Sequence, residues 1–400
     1  MARIKDLTEL TIADYWREVK DPATLWGDLT PQAKRTLQQL LENRMSDELA
    51  YYLQAPRYGR APGRKGVRNG VYRRQLTTTW GTISNLAIPR ARDGGFRPSV
   101  LPRYQRRMGD VDRLIRAVFL AGVSTRRVGR TLAELLGDTV SPSTVSTITR
   151  TLDRAVAAWH RRPLRDQYRY LFLDGLSLRV KTPDGTKRRT ILVAYGLTTV
   201  GRRELIDYRL VRQESQGAWE AFLMNLAARG LTGEALRLIT TDGHRGLHLA
   251  LDFVYPTVPR QACWVHVLRN VAQRLRVRDR ERCLSVARRI YEAPSRPAAE
   301  RALQRWRRAW EPVAPHAVAC VLREWEALLA FYDVPQSDWR RVRTTNAIER
   351  AFREVRRRTR PMTCFTNAAS CDRITYAVMH YLNEQWQGRP LWRPEITQNS

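Results

Sequence analysis

Acidic residues are scarce in this sequence relative to basic ones. Of 400 residues, 39 are Asp or Glu and 70 are Lys or Arg, which gives a formal net charge of +31 at pH 7. The basic excess is spread along most of the chain and is not confined to one tail. An imbalance on this scale predicts a polyanionic partner.

Long apolar runs are absent as well. No segment has the roughly 18–20 apolar residues that a membrane-spanning helix needs. Residues 1–6 contain no apolar run of the signal-peptide type. Nucleic acid is therefore favoured over a membrane as the polyanion, and we expect a cytoplasmic protein.

Cysteines are few, odd in number and without a framework spacing: Cys263, Cys283, Cys320, Cys364 and Cys371. This pattern predicts a reducing compartment and no structural disulfides. Cys263 and His266 form a Cys-x-x-His pair, but a closed zinc site needs a second pair of ligands. The pair is therefore interpreted as structural or as a DNA contact.

Apolar residues are plentiful enough for real cores. They make up 43% of the chain, with 12 Trp, 15 Tyr and 8 Phe. Because 400 residues are too many for one ordinary core, we expect roughly two to four domains.

The first hundred residues predict a helix, a basic loop and a β-hairpin. Thr30 is a suitable N-cap for a helix with Pro31 at its first position. The strand-like runs Tyr72–Thr79 and Thr82–Pro89 flank a Trp-Gly turn. The helix is expected to face a core, with a dimer or DNA contact as the alternative.

The loop between the helix and the hairpin is strongly basic. Residues 57–74 carry seven basic side chains, no acid and four interleaved glycines. A glycine-rich chain can follow a phosphate backbone closely, so contact with DNA is favoured over a solvated linker. The candidate contacts are Arg60, Arg64, Lys65 and Arg68.

Residues 110–154 predict helices in the order of a helix-turn-helix. Ser141-Pro142 opens the third of these helices, which is expected to extend to Leu152. A plain three-helix core unit is the alternative. The candidate recognition face consists of Ser143, Thr144, Thr147 and Arg150.

Three acidic residues stand at unusual places in the second half of the chain. Asp174 interrupts the apolar run 170–180, where a carboxylate is costly unless it is paired or holds a metal. Asp242 ends a second apolar strand, and Glu349 lies at the start of a helix. An Asp-Gly turn or a bulge is the alternative for Asp174 alone. Two strands and a helix that each deliver one acid predict a carboxylate cluster for metal-dependent phosphoryl transfer.

Such a cluster would need a cation, because carboxylates brought together repel one another. Oxygen ligands suit Mg²⁺ or Mn²⁺, and two ions roughly 3.5–4 Å apart can stabilise the attacking and leaving oxygens of an in-line displacement. Glu354 lies on the same predicted helix as Glu349, about 140° out of phase. Glu349 is preferred because it lies near the helix start, beside the buried face.

The region around the acids predicts the order β-β-β-α-β-α-β, with these elements: 170–180, 187–197, 203–211, 216–229, 236–241, 246–253 and 260–266. The helix crossover lets the strand that ends at Asp242 run parallel to its neighbour. The Arg- and Trp-rich segment that follows predicts an all-α insertion. The expected divisions of the chain are 1–100, 101–165, 166–266, 267–340 and 341–400.

These segments resemble the transposases of the Mutator-like, IS256-type family of bacterial insertion sequences, from about residue 60 to 385. The motifs that carry the resemblance are Leu173-Asp174-Gly175, Thr241-Asp242-Gly243 with Gly246-Leu247, Arg260 to His266 with Arg269-Asn270, and Arg343 to Arg350. The family pattern often has Asn three residues after the Glu, where this chain has Phe352.

The resemblance implies an α/β fold: an RNase H-like mixed sheet interrupted by an all-α insertion and preceded by a DNA-binding region. It also implies metal-dependent cleavage and joining of DNA at transposon ends, with Asp174, Asp242 and Glu349 as the acidic triad. We expect a homodimer, because an element has two ends, and association with the bacterial nucleoid. A catalytically inactive DNA-binding relative and a structure-specific nuclease of the same fold are the alternatives.

Other residues are candidates for supporting roles. His244 follows Asp242 closely and could transfer a proton or contact the leaving group, although a structural role is an equal alternative. Cys263, His266 and Asn346 are auxiliary candidates. On the Glu349 helix, contact with phosphate is favoured over a solvated face for Arg350, Arg353 and Arg357.

Overall fold

A computed structural model describes residues 22–59, 61–121, 123, 125–136, 140–359 and 364–391. The predicted DNA contact Arg60 lies outside these residues. The chain forms two compact units, Met1–Thr149 and Arg150–Ser400. Within the described ranges, no helix is long and apolar enough to cross a membrane. All five cysteines are free, which confirms the expectation of no disulfides.

The first unit begins with a helix and a two-stranded hairpin. Its elements are α1 (Pro22–Leu53), β1 (Arg68–Thr78), β2 (Gly81–Ala91), α2 (Gly109–Leu120), α3 (Thr125–Leu136) and α4 (Pro142–Thr149). The predicted hairpin is confirmed, and its strands pair antiparallel. The predicted helix start at Thr30 is wrong, because α1 passes through Pro31. Proline removes one helical hydrogen bond, but its φ is that of a helix.

The core of this unit lies between α1 and the hairpin. Met45 packs with residues of both strands, and Leu49 and Leu53 pack with Ala91 and Phe96. The core-facing role of α1 is thereby confirmed. The residues around Met45 are Leu76, Ile83, Leu86, Ile88 and Leu101.

The helices α2 to α4 each bury one apolar face, as their spacing predicts. The Thr144 N–H donates to Ser141 Oγ at 3.2 Å, so Ser141 caps α4. The predicted extension of this helix to Leu152 is wrong, because α4 ends at Thr149 and Leu152 begins α5 (Leu152–Arg161) of the second unit. The expected division 101–165 therefore spans both units.

The second unit is built on a five-stranded sheet. The elements after α5 are β3 (Tyr168–Thr182), β4 (Gly185–Thr198), β5 (Arg203–Val211), α6 (Gln216–Ala228), β6 (Leu238–Thr241), α7 (Arg245–Val254) and β7 (Arg260–Ala262). The predicted β-β-β-α-β-α-β order is confirmed. In the sheet the order is β5-β4-β3-β6-β7, with β3, β4 and β5 antiparallel and β6 and β7 parallel to β3.

Helices cover both faces of the sheet, which explains why β3 and β4 are apolar on both sides. On one face Leu171 and Leu173 pack with α6 and α7. On the other, the Phe172 and Tyr195 ring centroids are 5.4 Å apart, and the Trp386 ring lies 5.7 Å from that of Tyr195. Trp386 ends the last helix of the unit, so the sheet is the middle layer of three.

A helical segment separates β7 from the last two helices, α14 (Asn346–Thr359) and α15 (Ala368–Trp386). Its helices are α8 (Trp264–Gln273), α9 (Val277–Tyr291), α10 (Arg296–Trp310), α11 (Pro315–Arg323), α12 (Trp325–Leu329) and α13 (Trp339–Val342). The predicted strand through His266 is wrong: β7 ends at Ala262. Trp264, Val267 and Val271 recur at helical spacing and are buried together, so helix packing prevails here.

A buried polar network joins three elements of this unit. Asp207 on β5 is 1% exposed, forms an ion pair with Arg229, and lies 2.8 Å from His160 Nδ1. The Tyr208 N–H also donates to it at 2.8 Å. Burial opposes ionisation of Asp207, but these partners hold its pKa below the usual value. The network ties α5, β5 and the end of α6 together.

Candidate active site

The parallel pairing of β3 with β6 brings two of the predicted acids to one place. Leu173 stands opposite Thr241 in the last pair of this ladder. Asp174 follows Leu173 and Asp242 follows Thr241, so the two acids lie beside each other where strands β3 and β6 separate. Asp242 is at a strand end, as predicted, whereas Asp174 lies within β3, which continues to Thr182.

Glu214 is a fourth carboxylate near these two, and the sequence pattern does not predict it. It lies between β5 and α6, and its side chain covers Gly175 so closely that an added Cβ would stand 2.7 Å from Glu214 Oε2. Gly175 pairs regularly with Leu192, so the Asp-Gly turn or bulge considered for Asp174 is absent at this pair. An acid ahead of a helix is common in any sequence, so no local signal distinguishes Glu214.

The environment of Asp174 disfavours its charged form. Its side chain is buried, with 5% of the residue exposed. Burial raises the pKa of Asp174 to about 8, with a further rise from the Asp242, Glu349 and Glu214 carboxylates and an opposing effect from the Gly175 N–H. The four carboxylates therefore share one electrostatic environment.

Glu349 is held by basic side chains of α8. Arg269 Nη2 donates to Glu349 Oε1 at 3.3 Å, and His266 Nε2 lies 3.9 Å from the same oxygen. Burial and the Arg269 charge lower the pKa of His266, against the opposing effect of Asp242 and Glu349. His266 thus lies beside two of the predicted acids, whereas Asn346 at the start of α14 is exposed.

Cys263 positions the helix that carries Glu349. Its buried sulfur accepts from both the Thr345 N–H and the Thr345 hydroxyl, each at 3.3 Å. The Glu349 N–H in turn donates to the Thr345 carbonyl at 3.1 Å. The structural interpretation of Cys263 agrees with these contacts.

Glu354 has a different partner from Glu349. Arg357 donates to its two carboxylate oxygens at 3.0 and 2.7 Å. Glu349 is one of the carboxylates that raise the pKa of Asp174. Glu354 thus forms an ion pair with Arg357, whereas Glu349 lies within electrostatic reach of Asp174.

His244 lies beside Asp242, as its sequence position requires. Its backbone N–H donates to Asp242 Oδ1 at 3.1 Å, and its Nδ1 lies 3.9 Å from Glu214 Oε1. Trp219 Nε1 holds the same Glu214 oxygen at 2.9 Å. His244 therefore links Asp242 to the fourth carboxylate.

The donor set at this place fits a divalent cation by its chemistry. Neighbouring carboxylates that repel one another, of which Asp174 is buried, are the kind of oxygen ligands that Mg²⁺ and Mn²⁺ take. Across the described ranges, however, no three His, Cys, Asp or Glu side chains stand close enough together to enclose an ion. The carboxylates are within electrostatic reach of one another without converging on one point.

The predicted DNA contacts are mostly exposed. Burial and the charges of Arg57 and Arg64 lower the pKa of Arg68, which is half-buried. Thr144 is half-buried as well. The exposed ones are Arg64, Lys65, Thr147, Arg150, Arg350, Arg353 and Arg357.

Known proteins resemble the chain over most of its length. It is 32% identical over 353 residues to the transposase for insertion sequence element ISRM5 of Rhizobium meliloti, covering 88% of this chain and 87% of that one. The transposase for IS256 in transposon Tn4001 of Staphylococcus aureus is 33% identical, with 87% and 88% covered. The crystal structure of the Mos1 strand transfer complex matches with 13% identity and a TM-score of 0.16, over 36% of this chain and 56% of that one.

The match to a family profile is broader still. The profile described as Transposase, Mutator family covers residues 17–389, which include most of both units and all four carboxylates of the site. The family expected from the sequence motifs is thereby confirmed. This chain belongs to the Mutator family of transposases.

Proposed function

We propose that this chain is a DNA transposase that binds the terminal inverted repeats of an insertion sequence and catalyses strand cleavage and strand transfer. The observation that carries the proposal is the buried Asp174 carboxyl beside Asp242, within electrostatic reach of Glu349. The named activity of the relatives adds support.

We infer an RNase H-like core with an all-α insertion. Support comes from the sheet, in which an antiparallel meander is followed by two parallel strands reached through helices. The helical segment between β7 and α14 separates the third acid from the other two in sequence, as such an insertion would.

Asp174, Asp242 and Glu349 would hold two divalent ions, Mg²⁺ or Mn²⁺. When bound, the ions supply electrostatic stabilisation of the attacking and leaving oxygens. The protein's own contribution is to orient the acids. Arg269 would fix the Glu349 carboxylate, and the His244 N–H would fix that of Asp242.

Water would be the nucleophile in hydrolysis and a terminal 3′-hydroxyl the nucleophile in strand transfer. Both attack phosphorus directly, so no side chain needs to form a covalent intermediate. A basic side chain close to the acids can attract the phosphate, and Arg269 is half exposed while it pairs with Glu349. Arg350 and Arg353 would contact the DNA further along α14.

DNA binding would involve the first unit. The capped helix α4 exposes Thr147 and is followed by the exposed Arg150, as a helix-turn-helix recognition helix would require. The basic residues Arg64 and Lys65 would contact phosphates. Two copies of the chain would act together, one on each end of the element.

The experiment is cleavage of an oligonucleotide duplex that contains an element end, followed by joining to a target duplex. Each of the three changes Asp174→Asn, Asp242→Asn and Glu349→Gln should abolish both steps but keep end binding. The reason is that each nearly isosteric change removes one charged ligand, and each 1.4 kcal/mol or so of lost stabilisation is about tenfold in rate.

Glu354→Gln is the matched control and should retain activity to within about tenfold. Chelator should stop the reaction, and Mg²⁺ or Mn²⁺ but not Zn²⁺ should restore it. Normal cleavage by Asp174→Asn would refute the mechanism. Cleavage without joining would favour a nuclease, and end binding without any cleavage would favour an inactive DNA-binding relative.

A further inference from the structure

The first unit contains an arginine-lined cleft between the hairpin and residues 94–106 that the proposed chemistry does not use. Its volume is about 720 Å³, within the range of roughly 300–1,000 Å³ of pockets that hold small ligands. Five guanidinium groups line it: Arg74, Arg90, Arg97, Arg103 and Arg106. We call this place the arginine cleft.

The positive charge of the arginine cleft is not neutralised locally. Among the described residues, no carboxylate forms an ion pair with any of its five arginines. Asp93, beside the cleft, is bonded instead to the Tyr52 hydroxyl at 2.8 Å and the Gly95 N–H at 3.0 Å. Arg74 Nη2 donates to the Pro102 and Gln105 carbonyls, and Arg97 Nη1 donates to those of Gly94 and Phe96. The cleft therefore offers an anion its net positive charge and the remaining guanidinium donors.

Two tyrosines add exposed aromatic faces to the arginine cleft. Tyr72 is 39% exposed with the Arg90 guanidinium 5.7 Å from its ring centroid, and Tyr104 is 78% exposed with Arg103 at 4.9 Å. Tyr104 has a φ of 69°, in the left-handed region that side chains other than glycine seldom adopt.

The floor of the arginine cleft is apolar and buried, with Ile88, Phe96 and Leu101 between 2% and 7% exposed. Phosphates of a double helix need only the guanidinium groups, and paired bases keep their faces stacked inside the duplex. An apolar floor with exposed aromatic rings instead suits a base whose face is free. Aromatic rings with arginines are the combination that binds single-stranded nucleic acid.

We propose that the arginine cleft binds an unpaired segment of DNA, with bases stacked on Tyr72 and Tyr104 and phosphates on the surrounding arginines. This deepens the proposed function, because it names the form of DNA that one part of the first unit recognises. The cleft proposal depends on the proposed function only for the choice of DNA as the ligand.

The test measures fluorescence anisotropy of a labelled oligo(dT) of about 12 nucleotides, a length within the site sizes of single-strand binders, with the full chain. The double variant Tyr72→Ala with Tyr104→Ala should lose roughly fivefold or more in single-strand affinity. Its affinity for a random duplex of equal length should stay within about twofold, since the arginines remain.

Tyr58 provides a matched control in the same unit. It is 91% exposed, has a φ of 64° and lies 5.1 Å below the Arg57 guanidinium, but it is outside the cleft. Tyr58→Ala should bind oligo(dT) like the wild type. Equal losses in the Tyr58 variant and the double variant, or no loss in the double variant, would overturn the proposal.

A second measurement does not depend on the variants folding. Photo-crosslinking of oligo(dT) that carries iodouracil should form adducts at Tyr72 or Tyr104, and adducts found only elsewhere would overturn the assignment. Displacement of the oligonucleotide by free thymidine monophosphate at equal nucleotide concentration would mean a mononucleotide site instead. If the protein bound duplex DNA and cleaved element ends but did not bind oligo(dT), the cleft proposal would be refuted and the proposed function would stand. If it did none of these three things, both the cleft proposal and the proposed function would be refuted.

Discussion

Replacing Asp174 by Asn should stabilise the metal-free protein while abolishing its activity. Burial and the neighbouring carboxylates raise the pKa of Asp174 from 3.8 to about 8. A carboxyl whose folded pKa is raised costs stability at every pH above its unfolded pKa, and the cost grows until the folded pKa is reached. At pH 7, which is about 3 pH units above the unfolded pKa, the penalty is at most about 4 kcal/mol.

Asn is neutral at all these pH values and nearly the same size, so it avoids the penalty. Urea or thermal unfolding of the second unit in chelator should show the Asp174→Asn protein as the more stable one at pH 7. At pH 5, about one pH unit above the unfolded pKa, the stability that the Asn variant gains over the wild type should shrink to about 1–2 kcal/mol. Glu354→Gln, which removes a partner of Arg357 outside the cluster, should change stability by no more than about 1 kcal/mol.

Mg²⁺ should narrow this difference by mass action. At a free concentration ten times its Kd, an ion that binds only the folded state adds about 1.4 kcal/mol to the wild type. The Asn variant has lost a charged ligand and should gain little. The reasoning would be refuted if the variant were no more stable than the wild type at pH 7 in chelator, or if its gain did not fall at pH 5.

Three other predictions concern DNA binding and stability. Neutralising Arg64, Lys65 and Arg68 together should flatten the slope of log K against log salt by about 0.9 for each lost phosphate contact; an unchanged slope in a filter-binding titration would place this loop away from DNA. Arg150→Ala should reduce discrimination between end and random DNA by roughly 1–3 kcal/mol, whereas equal weakening of both would indicate a backbone contact. Asp207→Ala should destabilise the fold by about 3–5 kcal/mol in urea unfolding, because it leaves a buried guanidinium unpaired. The wild type should lose this contribution as the pH falls through the lowered pKa of Asp207, and a pH-independent difference between the two proteins would contradict the assignment.

The sequence alone determined the order of the elements around the site and selected three of the four carboxylates that lie there. Strand and helix periodicity depends on neighbours a few residues apart, so β3 to β7 and their intervening helices follow from local pattern. An acid inside an apolar run or directly after one is also visible locally, which is why Asp174 and Asp242 could be selected. The Arg- and Trp-rich composition of residues 267–340 already indicated a helical segment before Glu349.

The tertiary structure decided what depends on contacts between distant segments. Glu214 joins the site only because the loop after β5 folds over Gly175. The switch from strand to helix after Ala262 follows from burial of Trp264, whose Nε1 bonds to the Leu328 carbonyl at 2.8 Å. Side chains near each other in space but far apart in the chain carry no local signal, because packing and electrostatics act through distance in three dimensions.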